Sequence, residues 1–182
     1  MAVNTPSQVT TWKIDPMHSS AEFAVKHMMV TTVRGRLAID GSEIVFDEIN
    51  HANSSVQTTL QVHTINTGTD QRDTHLKSPD FFNADEHPTI TFKSTKVEHK
   101  GGDRLHVHGD LTIHGVTKSV ILDTTTNGQG TNPYGQTVAG FTAETQINRK
   151  DFGLTYNAAL ETGGVLVSDN VKITLEIQAA KQ

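Results

Sequence analysis

The sequence predicts an all-β protein: an antiparallel sheet of about eight strands with one short helical insertion near residues 70–77. Three observations carry this. Apolar and polar residues alternate with a period of two over most of the chain. Clusters of Gly, Asn, Asp and Pro separate the alternating runs. The alternation breaks once, between Asp70 and Phe82, where charged residues crowd together and two phenylalanines follow.

A polar arm is expected over residues 1–10, followed by a single domain over 11–182. Ala21, Phe23 and Val25 alternate with Glu22 and Lys26, which marks a half-buried strand. Leu37 and Ile39 continue the pattern after Gly35. Val56, Thr58, Leu60 and Val62 form the next face, and Ile90 and Phe92 follow Pro88. Lys100-Gly-Gly-Asp103 reads as a hairpin turn into Leu105, Val107, Gly109, Leu111 and Ile113. Val120 and Leu122 begin another strand, and Asn127 to Gly135 reads as a loop. Phe141, Ala143, Thr145 and Ile147 resume the alternation. Val171, Ile173, Leu175 and Ile177 close the chain.

The insertion carries Asp70, Arg72, Asp73 and His75, then Ser78-Pro79. Proline disfavours helix at the residue before it, so a helix here ends at Ser78. Phe81 and Phe82 give it an apolar anchor.

The 182 residues suit one domain with a sizeable core. A formal net charge of −5 argues against a general nucleic-acid binder, which would carry a basic stripe. The chain has no cysteine, so disulfides and thiolate metal sites are excluded. No window is apolar for long enough to span a bilayer. The first residues carry no basic and apolar leader pattern, so a cytoplasmic protein is expected; the alternative is a periplasmic one whose leader has been removed.

Alternation means one covered face and one wet face, which leaves a sandwich or a closed barrel. A barrel removes sheet edges, and at about eight strands its interior either fills with side chains or holds one small ligand. Ala21, Gly109, Ala143 and several threonines fall on the apolar faces and favour a cavity.

Several segments taken together add a resemblance. They are Trp12-Lys-Ile-Asp15-Pro-Met-His18-Ser19 leading to Phe23, and Asp70-Gln-Arg72-Asp73-Thr-His75-Leu76-Lys-Ser78-Pro-Asp80-Phe81-Phe82. They continue with Gly109-Asp-Leu111-Thr112-Ile-His-Gly115-Val-Thr117-Lys118, Asn148-Arg149-Lys-Asp151-Phe152-Gly153 and Val167-Ser168-Asp169. In this order and spacing the chain resembles the YceI-like family from Trp12 to its last strand. The resemblance implies a lipocalin-like antiparallel barrel, often a homodimer, holding a polyisoprenoid or a fatty-acyl-type lipid in its pore. It implies no catalytic residue and no cofactor. Many members look periplasmic with a leader peptide, a feature this sequence does not share.

On that reading the pore is expected to be lined by Phe23, Val25, Leu60, Phe81, Phe82, Phe92, Leu111, Phe141 and Ile173. Arg72 and His75 are the candidates for a ligand head group, because a guanidinium fork suits phosphate or carboxylate. The competing reading is an ion-pair network holding the helix, and it is the favoured one for Asp73. His106, His108 and His114 are expected on one strand face with Asp110 between them, so His106 and His108 are candidate metal ligands with His63 or a carboxylate as a third. A row of solvated histidines on the strand's polar face is the competing reading, and it is the favoured one here. The alternative functions are a metal-dependent hydrolase built on this His cluster, or a packed-barrel structural dimer without ligand.

The remaining motifs read as structure. His27 on an apolar face reads as a hydrogen-bonded core residue, and His18-Ser19-Ser20 beside Asp15 as a strand-entry turn rather than a catalytic triad. Arg149 and Asp151 are expected to pair across a turn that ends on Gly153.

Overall fold

Nine strands form one antiparallel sheet that closes on itself in the computed structural model, which describes residues 9–182. They are β1 (Val9–Ile14), β2 (Ser20–His27), β3 (Thr31–Asp47), β4 (Ser55–Asn66), β5 (Thr89–Gly101), β6 (Arg104–Ile113), β7 (Val116–Thr131), β8 (Thr137–Asn148) and β9 (Val167–Lys181). Among the described residues a single α-helix, α1 (Asp70–Lys77), stands between β4 and β5. The fold is the antiparallel barrel with one short helix that the resemblance implies, and it decides between the sandwich and the barrel that the alternation left open.

Nine strands make eight staves because β1 and β2 share one position. β1 pairs with the end of β3 (Val9 with Asp47, Lys13 with Glu43), and β2 pairs with its beginning (Ala21 with Leu37, His27 with Thr31). Both lie against β9 on their other side. The break between them is the Asp15–Ser19 turn. Asp15 Oδ1 accepts from the Met17 amide at 2.9 Å, and its Oδ2 lies 2.7 Å from His18 Nδ1. That bond to His18, with the Met17 amide, holds the Asp15 carboxyl below the usual range. The Ser19 hydroxyl donates to the Gln178 carbonyl at 3.2 Å. The group is the strand-entry turn expected from the sequence. Pairing of β3 with β4 closes the ring.

Up-and-down connectivity puts the turns at two ends. α1, the His27–Val30 turn, the His114-Gly115 turn and the segment from Arg149 to Leu166 share the helix end. The opposite end carries a 3₁₀ turn at His51–Asn53, the Gly102-Asp103 turn and the Asn132–Gln136 turn. At that end Asp47 is fully buried; it accepts from the Ile49 and Asn50 amides and from Asn53 Nδ2 at 2.8–3.0 Å, which fixes the 3₁₀ turn.

Three sequence readings change. Of the expected arm, residues 1–8 lie outside the described residues, while Val9 and Thr10 already belong to β1. The predicted loop over Asn127 to Gly135 is mostly strand. β7 runs to Thr131 through a bulge between Thr126 and Gly128, because β8 offers partners from Gly140 to Thr137. Only the Asn132–Gln136 turn remains, with Asn132 Oδ1 accepting from the Tyr134 and Gln136 amides. His114 is not on the strand face of His106 and His108. It occupies the turn after β6 at φ 53° and packs edge-on against His87, 4.7 Å between centroids.

Candidate functional site: an apolar cavity inside the barrel

The inward strand faces do not meet at the centre. They enclose a cavity of about 240 Å³ whose lining is almost wholly hydrocarbon. Its wall repeats the alternation of the sequence: Phe23 and Val25 from β2, Leu37 and Ile39 from β3, Val56, Thr58 and Leu60 from β4, and Ile90 and Phe92 from β5. Leu105, Val107 and Leu111 of β6, Val120, Leu122 and Thr124 of β7, Phe141, Ala143, Thr145 and Ile147 of β8, and Val171, Ile173, Leu175 and Ile177 of β9 continue it around the ring. All nine residues expected at the pore from the sequence lie on this wall.

Two glycines shape the wall. A Cβ on Gly35 would lie 2.6 Å from Phe23 Cε1, and one on Gly109 would lie 2.6 Å from Phe92 Cε2. Each phenylalanine therefore lies down over a neighbouring strand's bare backbone instead of standing into the lumen. At the end opposite the helix, Phe46 and Phe141 meet edge-on at 6.2 Å. Both also line a second, smaller cavity of about 200 Å³ with Trp12, His51 and His99, so the two rings form a partition.

At the helix end the cavity is bordered by Leu76 of α1, by Phe81 and Phe82 after it, and by Arg149, Leu154 and Val167. Phe81 packs with His75 and Tyr156 in an aromatic trio whose centroids are 4.9–5.1 Å apart. Arg149 is only 3% exposed. Its Nη1 donates to the Leu154 and Tyr156 carbonyls at 2.7 and 2.8 Å, its Nε to the Ser168 carbonyl at 3.0 Å and its Nη2 to the Val167 carbonyl at 3.3 Å. One planar guanidinium thus ties the end of β8 to the 154–156 segment and to the start of β9. Burial lowers its pKa and the Asp169 carboxylate, 3.8 Å away, opposes this. The expected pairing of Arg149 with Asp151 is not made; backbone carbonyls take the guanidinium instead. Gly153 does take the left-handed conformation, φ 76°.

Arg72 and His75 do not line the cavity. Arg72 Nε donates to Thr67 Oγ1 at 2.7 Å and its Nη2 to the Thr67 carbonyl at 2.8 Å. The Thr67 hydroxyl in turn donates to Asp73 Oδ1 at 2.6 Å, and the Thr67 amide donates to the same oxygen at 2.9 Å. His75 Nε2 lies 2.8 Å from Asp80 Oδ2. These groups hold α1 to the end of β4, so the network reading fits Arg72 and Asp73, and the guanidinium is already engaged where a head group would have to reach it.

His106 and His108 stand on the outer wall, opposite Leu105 and Val107, with the sheet between them and the cavity. The strand pairing adds Glu98, the register partner of His106, and the donor atoms of Glu98, His106 and His108 lie within 4.8 Å of one another. The third member is thus Glu98, not His63, whose neighbour is Asp85 at 3.9 Å. Sequence reasoning did not name Glu98, and it gave Arg149 the wrong partner. Glu98 depends on a strand register shifted by a bulge between Ser94 and Lys96, and Arg149 has the sequence setting of an ordinary turn residue.

The YceI-like domain profile matches residues 12–179. The chain belongs to the YceI-like family. Among relatives, a UPF0312 protein of Staphylococcus aureus is 41% identical over 168 residues, covering 90% of this chain and 94% of the other. A UPF0312 protein of Vibrio cholerae is 38% identical over 137 residues, covering 75% and 72%. Among solved YceI-like barrels, the Campylobacter jejuni YceI protein superposes with a TM-score of 0.73 at 29% identity, covering 86% of this chain and 90% of that one. Two more distant structures share the fold. Burkholderia cenocepacia BcnA has a TM-score of 0.80 at 24% identity, covering 91% and 99%. A polyisoprenoid binding domain from Saccharophagus degradans has a TM-score of 0.70 at 15% identity, covering 96% and 100%.

Proposed function

We propose that this protein is a carrier that holds a long-chain isoprenoid or similar amphiphilic lipid inside its barrel. The observation that carries the reading is the cavity itself, with hydrocarbon on nearly every side. The family membership and the polyisoprenoid-binding neighbour support it at the level of the fold. Phe23, Val25, Leu60, Phe81, Phe82, Phe92, Leu111, Phe141 and Ile173 would be the contact surface.

Each buried methylene contributes about 0.8 kcal/mol, so a long chain brings more driving force than ordering costs leave in any real complex. Such a site selects by length and girth. A smooth apolar wall has few groups with which to reject a related tail.

The carrier reading is favoured over a hydrolase because the histidine pair lies on the outer face of the sheet and does not open into the apolar cavity. It is favoured over a packed structural barrel because the side chains leave the cavity unfilled.

The test is organic extraction and mass spectrometry of the purified protein, with Ala143→Phe as the comparison. Ala143 is buried and faces the cavity, so a phenyl ring there takes ligand volume. The expected result is a prenyl-type or acyl species in the parent protein and a marked loss in the folded variant. Repeated preparations without lipid, together with no uptake of a prenyl alcohol, would overturn the proposal.

A further inference from the structure

The outer wall of β5 and β6 carries a cluster that the carrier reading does not use. His106 and His108 are two residues apart on β6, so both imidazoles leave the sheet on the same side. Glu98 stands beside them on β5, and His108 Nε2 lies 2.8 Å from Glu98 Oε2. The two imidazole centroids are 6.4 Å apart. All three side chains are half-buried.

We propose that Glu98, His106 and His108 form a binding site for a divalent transition metal of the zinc class. Two imidazoles and one carboxylate are a donor set that suits zinc, and they leave a fourth position to water. With metal–ligand bonds near 2.0–2.1 Å, the donors of a tetrahedral site stand about 3.3 Å apart. Their present spread of no more than 4.8 Å is closed by small side-chain rotations.

The second oxygen of Glu98 is already placed. Lys96 Nζ donates to Oε1 at 2.6 Å, which turns Oε2 toward the histidines. A metal would replace the His108 contact on Oε2 and leave the Lys96 contact intact. Such an outer partner fixes a ligand's orientation. The register neighbour of His106 on β7, Asp123, is held by Arg104 through both carboxylate oxygens at 2.6 and 2.7 Å. The site therefore has three protein ligands.

The donors come from two adjacent strands, so the metal would clamp the β5–β6 hairpin from outside. Nitrogen donors favour zinc, cobalt or nickel over magnesium or calcium, which prefer all-oxygen shells. The cavity plays no part, and the site stands whether or not a lipid occupies it.

The test is equilibrium dialysis of the untagged full chain against zinc chloride, read by elemental analysis, with ¹⁵N imidazole NMR on the same samples. The expected result is one zinc per chain, with shifts confined to His106 and His108. His106→Ala and His108→Ala should each weaken binding at least about tenfold, as loss of a ligand exceeds the loss of an outer-shell partner. Glu98→Gln should weaken it while the circular dichroism spectrum and melting temperature show a folded barrel. His63→Ala should leave it unchanged. Zinc uptake undiminished in the His106→Ala/His108→Ala double variant would overturn the proposal. So would an equal loss in His63→Ala, or displacement of zinc by excess magnesium.

Discussion

Phe23 lies across Gly35, its register partner on the neighbouring strand, so closely that the glycine has no room for a methyl group. The arrangement sets the width of the lumen at that level. With a side chain at position 35, the ring must stand up into the cavity or the two strands must part.

Gly35→Ala is therefore expected to cost about 1–3 kcal/mol, the usual range for forcing extra atoms into a packed contact. A chemical denaturation curve reads this directly. The double variant Gly35→Ala/Phe23→Leu should recover part of the loss, because neighbouring substitutions couple. A fully additive pair would show that the ring does not meet the new methyl group.

Arg149→Met should destabilise the helix end more than its single side chain suggests. It strips the hydrogen-bond donor from the carbonyls of Leu154, Tyr156 and Ser168, while the Val167 carbonyl keeps Asn157 Nδ2, and a buried acceptor left unsatisfied costs roughly 1–3 kcal/mol. Arg149→Lys should rescue little, since an ammonium does not present the planar fork. Amide hydrogen exchange should show the increase at residues 153–167. Faster exchange spread evenly over the barrel would contradict this account.

Arg72→Ala should weaken uptake of an anionic-headed lipid and of a bare hydrocarbon of the same length by similar factors. The guanidinium holds Thr67 rather than facing the cavity, so its loss frees α1 without removing a head-group contact. A double-mutant cycle with Thr67→Val should give a coupling of about 0.5–3 kcal/mol. Selective loss of the anionic lipid would make Arg72 a head-group ligand instead.

Glu98 should titrate far below a normal glutamate. Lys96 first, and His108 second, hold its carboxyl down from 4.5 to about 2. A depressed pKa contributes stability above the unfolded value, and the contribution is lost as pH falls through the folded value. In Glu98→Gln the acid limb of the stability curve should therefore be shallower between about pH 4.5 and pH 2. The difference should shrink at high salt, because the half-buried carboxylate still meets solvent. Carbon-detected NMR of the side-chain carboxyl checks the midpoint.

Period-two alternation made the staves legible, and with them the inward face. Phe141, Ala143, Thr145 and Ile147 could be assigned to one side because a strand has only two sides. The helix was legible through Pro79, and its anchor through Phe81 and Phe82. What pairing distant strands creates was not legible. Nothing in Glu98 announces His106 until the register across the β5 bulge is known. The strand-like end of β7 was hidden because Asn127, Gly128 and Gly130 resemble turn residues, and β8 overrode that local preference. Arg149 was hidden because its partners are carbonyls up to nineteen positions away, and carbonyls carry no sequence signal.

The split stave bears on how the chain reaches its native state. β1 and β2 each need β9 on one flank, so Trp12 finds Lys181, and Phe23 finds Ile173, across almost the whole length of the polypeptide. Contacts of such separation slow folding, because the intervening loop must close before the pairing rewards it. During synthesis from the N-terminus, the first two strands and β8 wait with an open flank until the last fifteen-residue strand emerges. The interval before ring closure is the time when the apolar interior faces solvent, and the rate of that final step decides between a finished barrel and an aggregate.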